Sequence, residues 1–423
     1  MLRSPLLVVL CAAAAGLSTC ACKPIVADGS PLTLPFMRRL NISGIPSLLQ
    51  HDQARARALV AASNSRPTRG KRALPQVFSA SITDQVVDYI ANVGIGVPPT
   101  FYNLIVDTGS ANIWVGAGKA YDRTSSSQPT GQSVSVQYGS GDFSGEEFID
   151  TVTIGSMVVP NVSIGSASTS QGFEGVDGVL GLGPRDLNVG TLSPDPSSSG
   201  VPTLLDQAFT EGIIPEEILG VFFAPTTSAD NDPNGELTFG GIDSNKTTGP
   251  VSFVPITTTS PSSEFIGFEQ SITYGSIAST ASVILSTTAG ITDTGTTLLL
   301  IATDALMRYK AVTGAVLDNT TGLLKLTPAG FNNLKSLFFN IGGTTYEFTP
   351  NAQIWPRSAR LNTVIGGDPN SVYLIVSDIG TGSGEGLDFI NGMIFLQRFY
   401  SVFDVTNNRV GFATTQFTDA VSN

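Results

Sequence analysis

The chain has 423 residues, of which 41% are hydrophobic and only 13% charged, with 45 Gly, 25 Pro and a formal net charge of −12. That composition excludes a disordered polyelectrolyte, a coiled coil and a small disulfide scaffold, and it predicts a strand-rich folded protein of one large bilobal domain or two smaller ones. The rare residues exclude more: Cys11, Cys20 and Cys22 cluster at the N-terminus and His51 is the only histidine. A chain trimmed before about residue 73 therefore holds no Ser-His or Cys-His hydrolase, no zinc site built on His or Cys, and no disulfide. Its chemistry must come from carboxylates, hydroxyls and backbone amides.

Residues 1–21 read as a signal peptide: Arg3, an apolar run from Leu6 to Leu17, then the small residues Ser18, Thr19 and Ala21. A lipid anchor at Cys20 is the minor alternative. With no other apolar run of membrane length, the expectation is an exported, extracellular protein without stable membrane association, or one delivered to a vacuolar or lysosome-like acidic compartment. Residues 22–72 read as a basic propeptide. From Lys23 to Arg72, nine basic residues stand against Asp28 and Asp52, a net of +7, whereas residues 73–423 carry 12 basic and 32 acidic groups, a net of −20. Opposite fields favour docking, so the arm is expected to act as a removable inhibitor of the body, with an unstructured linker as the alternative. Lys71 and Arg72 at the charge boundary are the expected processing site. Nucleic acid is excluded as a partner because the body is anionic.

From about Val77 onward, short β-like runs alternate with Gly, Pro, Asn and Ser clusters: Val86–Ile95, Phe101–Val106, Ser133–Tyr138, Phe148–Ile154, Glu236–Phe239 and Tyr400–Val405. Helices are expected to be few, one at Thr203–Gly212, where Thr203 and Asp206 approximate a capping box, and another from about Thr303 to about Gly314. The chain also repeats once. Ile105-Val106-Asp107-Thr108-Gly109-Ser110 recurs as Ile291-Thr292-Asp293-Thr294-Gly295-Thr296, which predicts two homologous halves, each carrying one copy to a shared interface.

In each copy an Asp ends an apolar strand, a Gly allows a tight turn and close approach, and flanking hydroxyls can orient the carboxylate. One Asp-Thr-Gly is an ordinary turn signal. Two of them, one per half, point to a carboxylate pair that shares a proton, one member acting as base towards water and the other as acid towards a carbonyl. No metal, cofactor or covalent intermediate is required. A glycoside hydrolase also uses two carboxylates but sets them farther apart, and a non-catalytic binding module would be expected to lack one of them.

These motifs, with Tyr89–Pro98, Tyr138-Gly139-Ser140-Gly141, Asp177–Gly183, Phe239–Asp243 and Phe389–Asp404, identify a resemblance to the pepsin-like aspartic proteases, closest to secreted fungal members of the polyporopepsin type. It covers essentially residues 73–423 and implies a mainly β, bilobal fold with lobes at 73–249 and 250–423 and a peptide cleft between them. It further implies Asp107 and Asp293 as the catalytic pair, Ser110 and Thr296 as their outer partners, Thr108 and Thr294 as an interlocking pair beneath, and Gly109 and Gly295 as the turn glycines. Tyr138, Gly139 and Ser140 would form a flap, Trp114 would hold the Tyr138 hydroxyl, and Val179-Leu180-Gly181 and Ile390-Asn391-Gly392 would pass behind the loops. A monomeric acid endopeptidase made as a zymogen follows, acting on proteins and peptides with apolar residues such as Ile113 lining the cleft. Asn391 departs from the apolar residue usual there, and Asp304 is a candidate modulator of the pair. Asn161, Asn245 and Asn319 head N-glycosylation sequons.

Overall fold

The computed structural model describes residues 31–40, 48–64, 87–139, 141–195, 197, 199–225, 232–277, 281–356 and 361–421. The predicted signal peptide, the Lys71-Arg72 site and Ser140 lie outside them. The fold is mainly β, and the predicted strands appear: Val87–Ile95 and Phe399–Asp404 lie within a residue of the expected bounds, while the other four lengthen to Thr100–Asp107, Gln128–Gln137, Asp142–Ile154 and Asp232–Phe239. These four run longer than hydrophobicity suggested because hairpin partners satisfy backbone groups even where side chains are polar. In Gln128–Gln137, for example, only Val134 is buried, yet the strand pairs with Asp142–Ile154.

The internal repeat is a structural repeat. Thr100–Asp107 runs parallel to Gly178–Gly181, with Asp107 opposite Gly181, and Ile113–Val115 returns antiparallel to that same short strand. In the second half, Ser282–Thr292 runs parallel to Phe389–Asn391, and Leu299–Ile301 returns antiparallel to it. The first unit belongs to a fourteen-stranded sheet among the described residues, the second to a seven-stranded one. Strands from both ends of the chain meet in the larger sheet, where Ile218–Phe223 pairs with Phe399–Asp404 and Ser252–Pro255 with Arg409–Thr414. The expected division at 249/250 therefore falls just before Ser252–Pro255, an edge strand of the sheet to which both halves contribute.

Both predicted helices form. Leu204–Thr210 starts on a complete capping box, the Thr203 hydroxyl accepting from the Asp206 amide at 3.2 Å and the Asp206 carboxylate from the Thr203 amide at 2.9 Å. Thr303–Thr313 ends at Gly314, whose φ of 69° is the left-handed stop that glycine accepts without strain.

The basic arm is folded onto the body, which excludes the linker alternative for its described part. Leu32–Leu40 is a strand inserted between Asp232–Phe239 and Val87–Ile95, and Leu48–Asn64 is a helix. Phe36 meets Tyr89 and Phe223 edge-on at centroid separations of 5.3 and 5.1 Å. Leu34, Leu48, Ala56 and Leu59 join the main core. A buried side chain of this kind is worth about 1.5–3 kcal/mol, so apolar packing holds much of the arm and charge attraction is only part of the contact.

Candidate active site

The two Asp-Thr-Gly loops meet face to face. The Thr108 amide donates to Thr294 Oγ1 and the Thr294 amide to Thr108 Oγ1, both at 3.0 Å, and Thr294 Oγ1 donates on to the Val106 carbonyl at 2.9 Å. Each loop's hydroxyl is thus spent on its partner's backbone, which fixes the separation of the carboxylates above. Asp107 accepts from Ser110 Oγ at 2.5 Å and from the Gly109 amide at 2.9 Å. Asp293 accepts from Thr296 Oγ1 at 2.6 Å and from the Gly295 amide at 3.1 Å. Both carboxylates are buried. The expected outer partners, turn glycines and interlocking threonines therefore come together in one centre with twofold likeness.

Arg55 of the arm helix closes this centre. Its Nη2 reaches Asp107 Oδ1 at 2.5 Å and Asp293 Oδ1 at 2.8 Å, and its Nε reaches Asp293 Oδ2 at 2.6 Å. A side chain on Gly109 or Gly295 would collide with the guanidinium. Burial pushes the Asp293 carboxyl up, but the charge and hydrogen bonds of Arg55, with Thr296 and Gly295, outweigh it and hold the group below its ordinary value of 3.8. Burial likewise disfavours the guanidinium charge, and the two carboxylates more than offset that, raising Arg55 above its ordinary value.

The neighbouring arm residues reinforce the plug. The Asp52 carboxylate, fully buried, accepts from the amides of Thr297 and Leu298 at 3.1 and 2.7 Å, at the end of the second loop. His51 Nδ1 lies 3.1 Å from Asp52 Oδ1, and Gln53 Nε2 donates to the Asp378 carbonyl at 2.9 Å. Arg55 and Asp52 were not singled out among the candidate residues. The signal available was the spacing Leu48, Asp52, Arg55, Leu59, one buried helical face; it is masked in the sequence because half of that face is charged.

Tyr138 sits over the first loop, and Trp114 Nε1 donates to its hydroxyl at 2.9 Å. Trp114 is stacked on Phe143 at 4.2 Å and meets Phe173 edge-on at 4.8 Å. Burial, and secondarily the Asp107 charge, raise the Tyr138 hydroxyl above its ordinary value, so it remains a neutral donor. Gly139 is pressed against the Arg55 backbone, where a side chain would clash.

Two expected residues lie elsewhere. Ile113 is buried in the core and, with Asn112 and Glu147, lines a small cavity behind the first loop instead of an open cleft. Asp304 binds the Ser383 amide and hydroxyl and Arg308, on the outer side of its helix. Among the described residues no group of three or more His, Cys, Asp or Glu side chains could hold a metal ion.

A family profile described as eukaryotic aspartyl protease matches residues 88–415. The chain belongs to the eukaryotic aspartyl proteases. This aspartyl protease is 60% identical to polyporopepsin of Irpex lacteus over 82% of its own length and 99% of the relative's. It is 31% identical to pepsin A of Rhinolophus ferrumequinum over 77% of the chain and 81% of that protein. The crystal structure of an aspartic proteinase from Irpex lacteus superposes with a TM-score of 0.77 at 52% identity, covering 93% of this chain and all of the other. The pepsin-like bilobal fold and the class of activity, aspartic endopeptidase, follow.

Proposed function

We propose that the chain is a secreted, monomeric acid endopeptidase synthesised as a zymogen, with Asp107 and Asp293 as its catalytic pair and residues 22–72 as its inhibitory propeptide. The observation that carries the reading is the single Arg55 Nη2 bonded to both carboxylates. One cation bridging two acids at the meeting of a duplicated motif occupies the position a shared proton and a water would take. The mature body would begin near Ala73 after cleavage at Lys71-Arg72, with lobes at 73–249 and 250–423, and the extracellular space is preferred over a vacuolar compartment. Asn161, Asn245 and Asn319 are exposed, which suits the proposed glycosylation.

With Arg55 withdrawn, the buried pair shares one proton, because two adjacent carboxylates do not both ionise cheaply. The ionised carboxylate takes a proton from water as its oxygen attacks the peptide carbon. The protonated one donates to the carbonyl oxygen, giving a neutral tetrahedral diol. Collapse breaks the C–N bond as the carboxyl that took the water proton gives it to the leaving nitrogen, while one hydroxyl proton of the diol passes to the other carboxylate, releasing amine and acid and restoring the singly protonated pair. Tyr138, Gly139 and Ser140 act as the flap over bound peptide. The Tyr138–Phe173 pair, 5.3 Å between centroids, supports a preference for apolar side chains beside the scissile bond.

Release of the arm has a defined pH sign. A carboxylate held below its ordinary value contributes stability that is present above 3.8 and lost as pH falls through the lowered value, so acidification from 3.8 down through that lowered value should progressively free Arg55. After such treatment, casein digestion near pH 4 should be abolished by a pepstatin-type inhibitor. Digestion that persists under the inhibitor would overturn the assignment. In the full-length chain, Arg55→Gln should raise the pH of half-conversion to the processed form; an unchanged midpoint would remove Arg55 from the inhibitory role.

A further inference from the structure

Asn391 interrupts an otherwise apolar segment, and its side chain is fully buried. Its partner is Gln270, also fully buried. Asn391 Nδ2 donates to Gln270 Oε1 at 2.9 Å, and Gln270 Nε2 donates to Asn391 Oδ1 at 3.1 Å, a closed reciprocal pair of amides. Gln270 lies on Gly267–Tyr274 and Asn391 on Phe389–Asn391, the two strands that flank Ser282–Thr292 on opposite sides. That central strand leads directly into Asp293. The backbone carbonyl of Asn391 accepts from the Asp293 amide at 3.3 Å and from Thr292 Oγ1 at 3.2 Å. The side chain is thus locked across the sheet while its backbone grips the base of the loop.

Stability does not explain this choice. In the first half the matching residue is Leu180, fully buried and opposite Ile113, so an apolar side chain suffices to back such a loop. Burying two amides gains little net energy even when both bond well, and costs the full desolvation of a group if one is left alone. What a closed pair supplies is a single allowed geometry. Being neutral, it also supplies that geometry unchanged through the acid range in which carboxylates titrate.

We propose that Gln270 and Asn391 are positioning residues for Asp293: their amide pair fixes the Asn391 carbonyl and so the orientation of the Asp293 carboxyl, independently of pH. The inference rests on the reading of Asp293 as catalytic. It predicts that Gln270→Glu, nearly isosteric, keeps the pair while the introduced carboxyl is protonated, since its hydroxyl can donate to Asn391 Oδ1 and its carbonyl can accept from Nδ2. Ionisation removes that donor and breaks the pair.

The test is the pH profile of kcat and KM for Gln270→Glu and for Gln270→Leu/Asn391→Leu. Both are made in the full-length chain, activated like wild type and normalised by titration with a pepstatin-type inhibitor. Gln270→Glu should match wild type at the acid end and lose kcat about tenfold through one added ionisation, at constant KM and with far-UV circular dichroism unchanged. The double Leu variant should lose kcat by a similar factor at every pH while keeping a wild-type Tm. A Gln270→Glu profile superimposable on wild type, or a loss that only follows unfolding, overturns the proposal whatever the fate of the double variant. Asp293→Asn measured alongside separates the two levels: activity there sinks the catalytic assignment, whereas an inactive Asp293→Asn beside a wild-type Gln270→Glu profile sinks only the amide pair.

Discussion

The two halves present nearly the same front and different backs. Facing the cleft, Asp107 and Asp293 have matching hydroxyl and glycine-amide donors, and Thr108 and Thr294 exchange bonds of equal length. Behind the first loop, Glu147 Oε2 and Asn112 Oδ1 are buried acceptors without a partner among the described residues, both beside the small cavity. Behind the second, Gln270 and Asn391 satisfy each other. The two halves therefore match where the proposed acid-base chemistry needs two equivalent groups, and differ behind it, where one side titrates and the other does not. Burial pushes Glu147 up to about 7, against a smaller opposing effect of its bond from Ser163.

The largest effect expected is the one that should not distinguish the halves. Asp107→Asn and Asp293→Asn should each lower kcat/KM by roughly a thousandfold or more, since one shared proton and one water need both carboxylates. Near-wild-type Tm values would show that the fold survives. A large difference between the two variants would break the symmetry of the front.

The backs should separate next. A group whose folded pKa is raised contributes stability that is complete below its unfolded value, here 4.5, and is lost as pH rises through the folded value of about 7. For a side chain as buried as Glu147 this amounts to about 3 kcal/mol between the acid and neutral plateaus. Glu147→Gln should flatten the dependence of Tm on pH between 4 and 8, measured by calorimetry in an Asp293→Asn background to prevent self-digestion. The excess of acidic groups after residue 72 acts in the same direction, so some slope should remain and shrink in high salt. A slope undiminished by Glu147→Gln would place the neutral-pH weakness elsewhere.

Legibility in the sequence follows the same division. The fronts could be read because the proposed catalysis constrains residue type and order: Asp, hydroxyl, Gly, hydroxyl at the end of an apolar strand, twice. The strands and both body helices could be read because alternation, the Thr203–Asp206 box and Gly314 are local signals. The backs could not. Asn391 stood out as a departure, but its partner lies 121 positions away on another strand, and nothing local links Asn to Gln. Glu147 looks like an exposed strand residue until the fold encloses it beside residues 111–113 and 201–204. The arm was legible as a charge reversal, yet its apolar anchoring by Phe36 and the role of Arg55 depend on what the body offers.

Between these effects lies the coupling across the front. Removing one interlocking hydroxyl, as in Thr108→Val or Thr294→Val, leaves the partner's buried amide unpaired and should cost about 1–3 kcal/mol. Because Thr294 Oγ1 also donates to the Val106 carbonyl, Thr294→Val should cost more than Thr108→Val. Chemical denaturation of both single variants and the double variant would measure this, and equal costs would mean that the extra bond carries no weight.

The smallest expected effect tests whether the second half is silent to pH in the acid range. Asp304, eleven positions after Asp293, has its carboxyl lowered to about 2: slight burial pushes it up, but the Ser383 amide and hydroxyl and then Arg308 more than offset this. Its sign is opposite to that of Glu147, with stability present above 3.8 and lost as pH falls through about 2. The depressed value does not translate into a large energy, because the Asp304–Arg308 pair is more than 40% exposed on both sides and water screens it. Asp304→Asn should therefore change stability by about 0.5 kcal/mol or less at pH 5. It should also leave the pH profile of kcat unmoved, because Asp304 binds the Ser383 loop and makes no hydrogen bond to either carboxylate of the pair. A displaced acid limb in that profile would show that a charge on the outside of this half reaches Asp293, and that its neutral amide support does not insulate it.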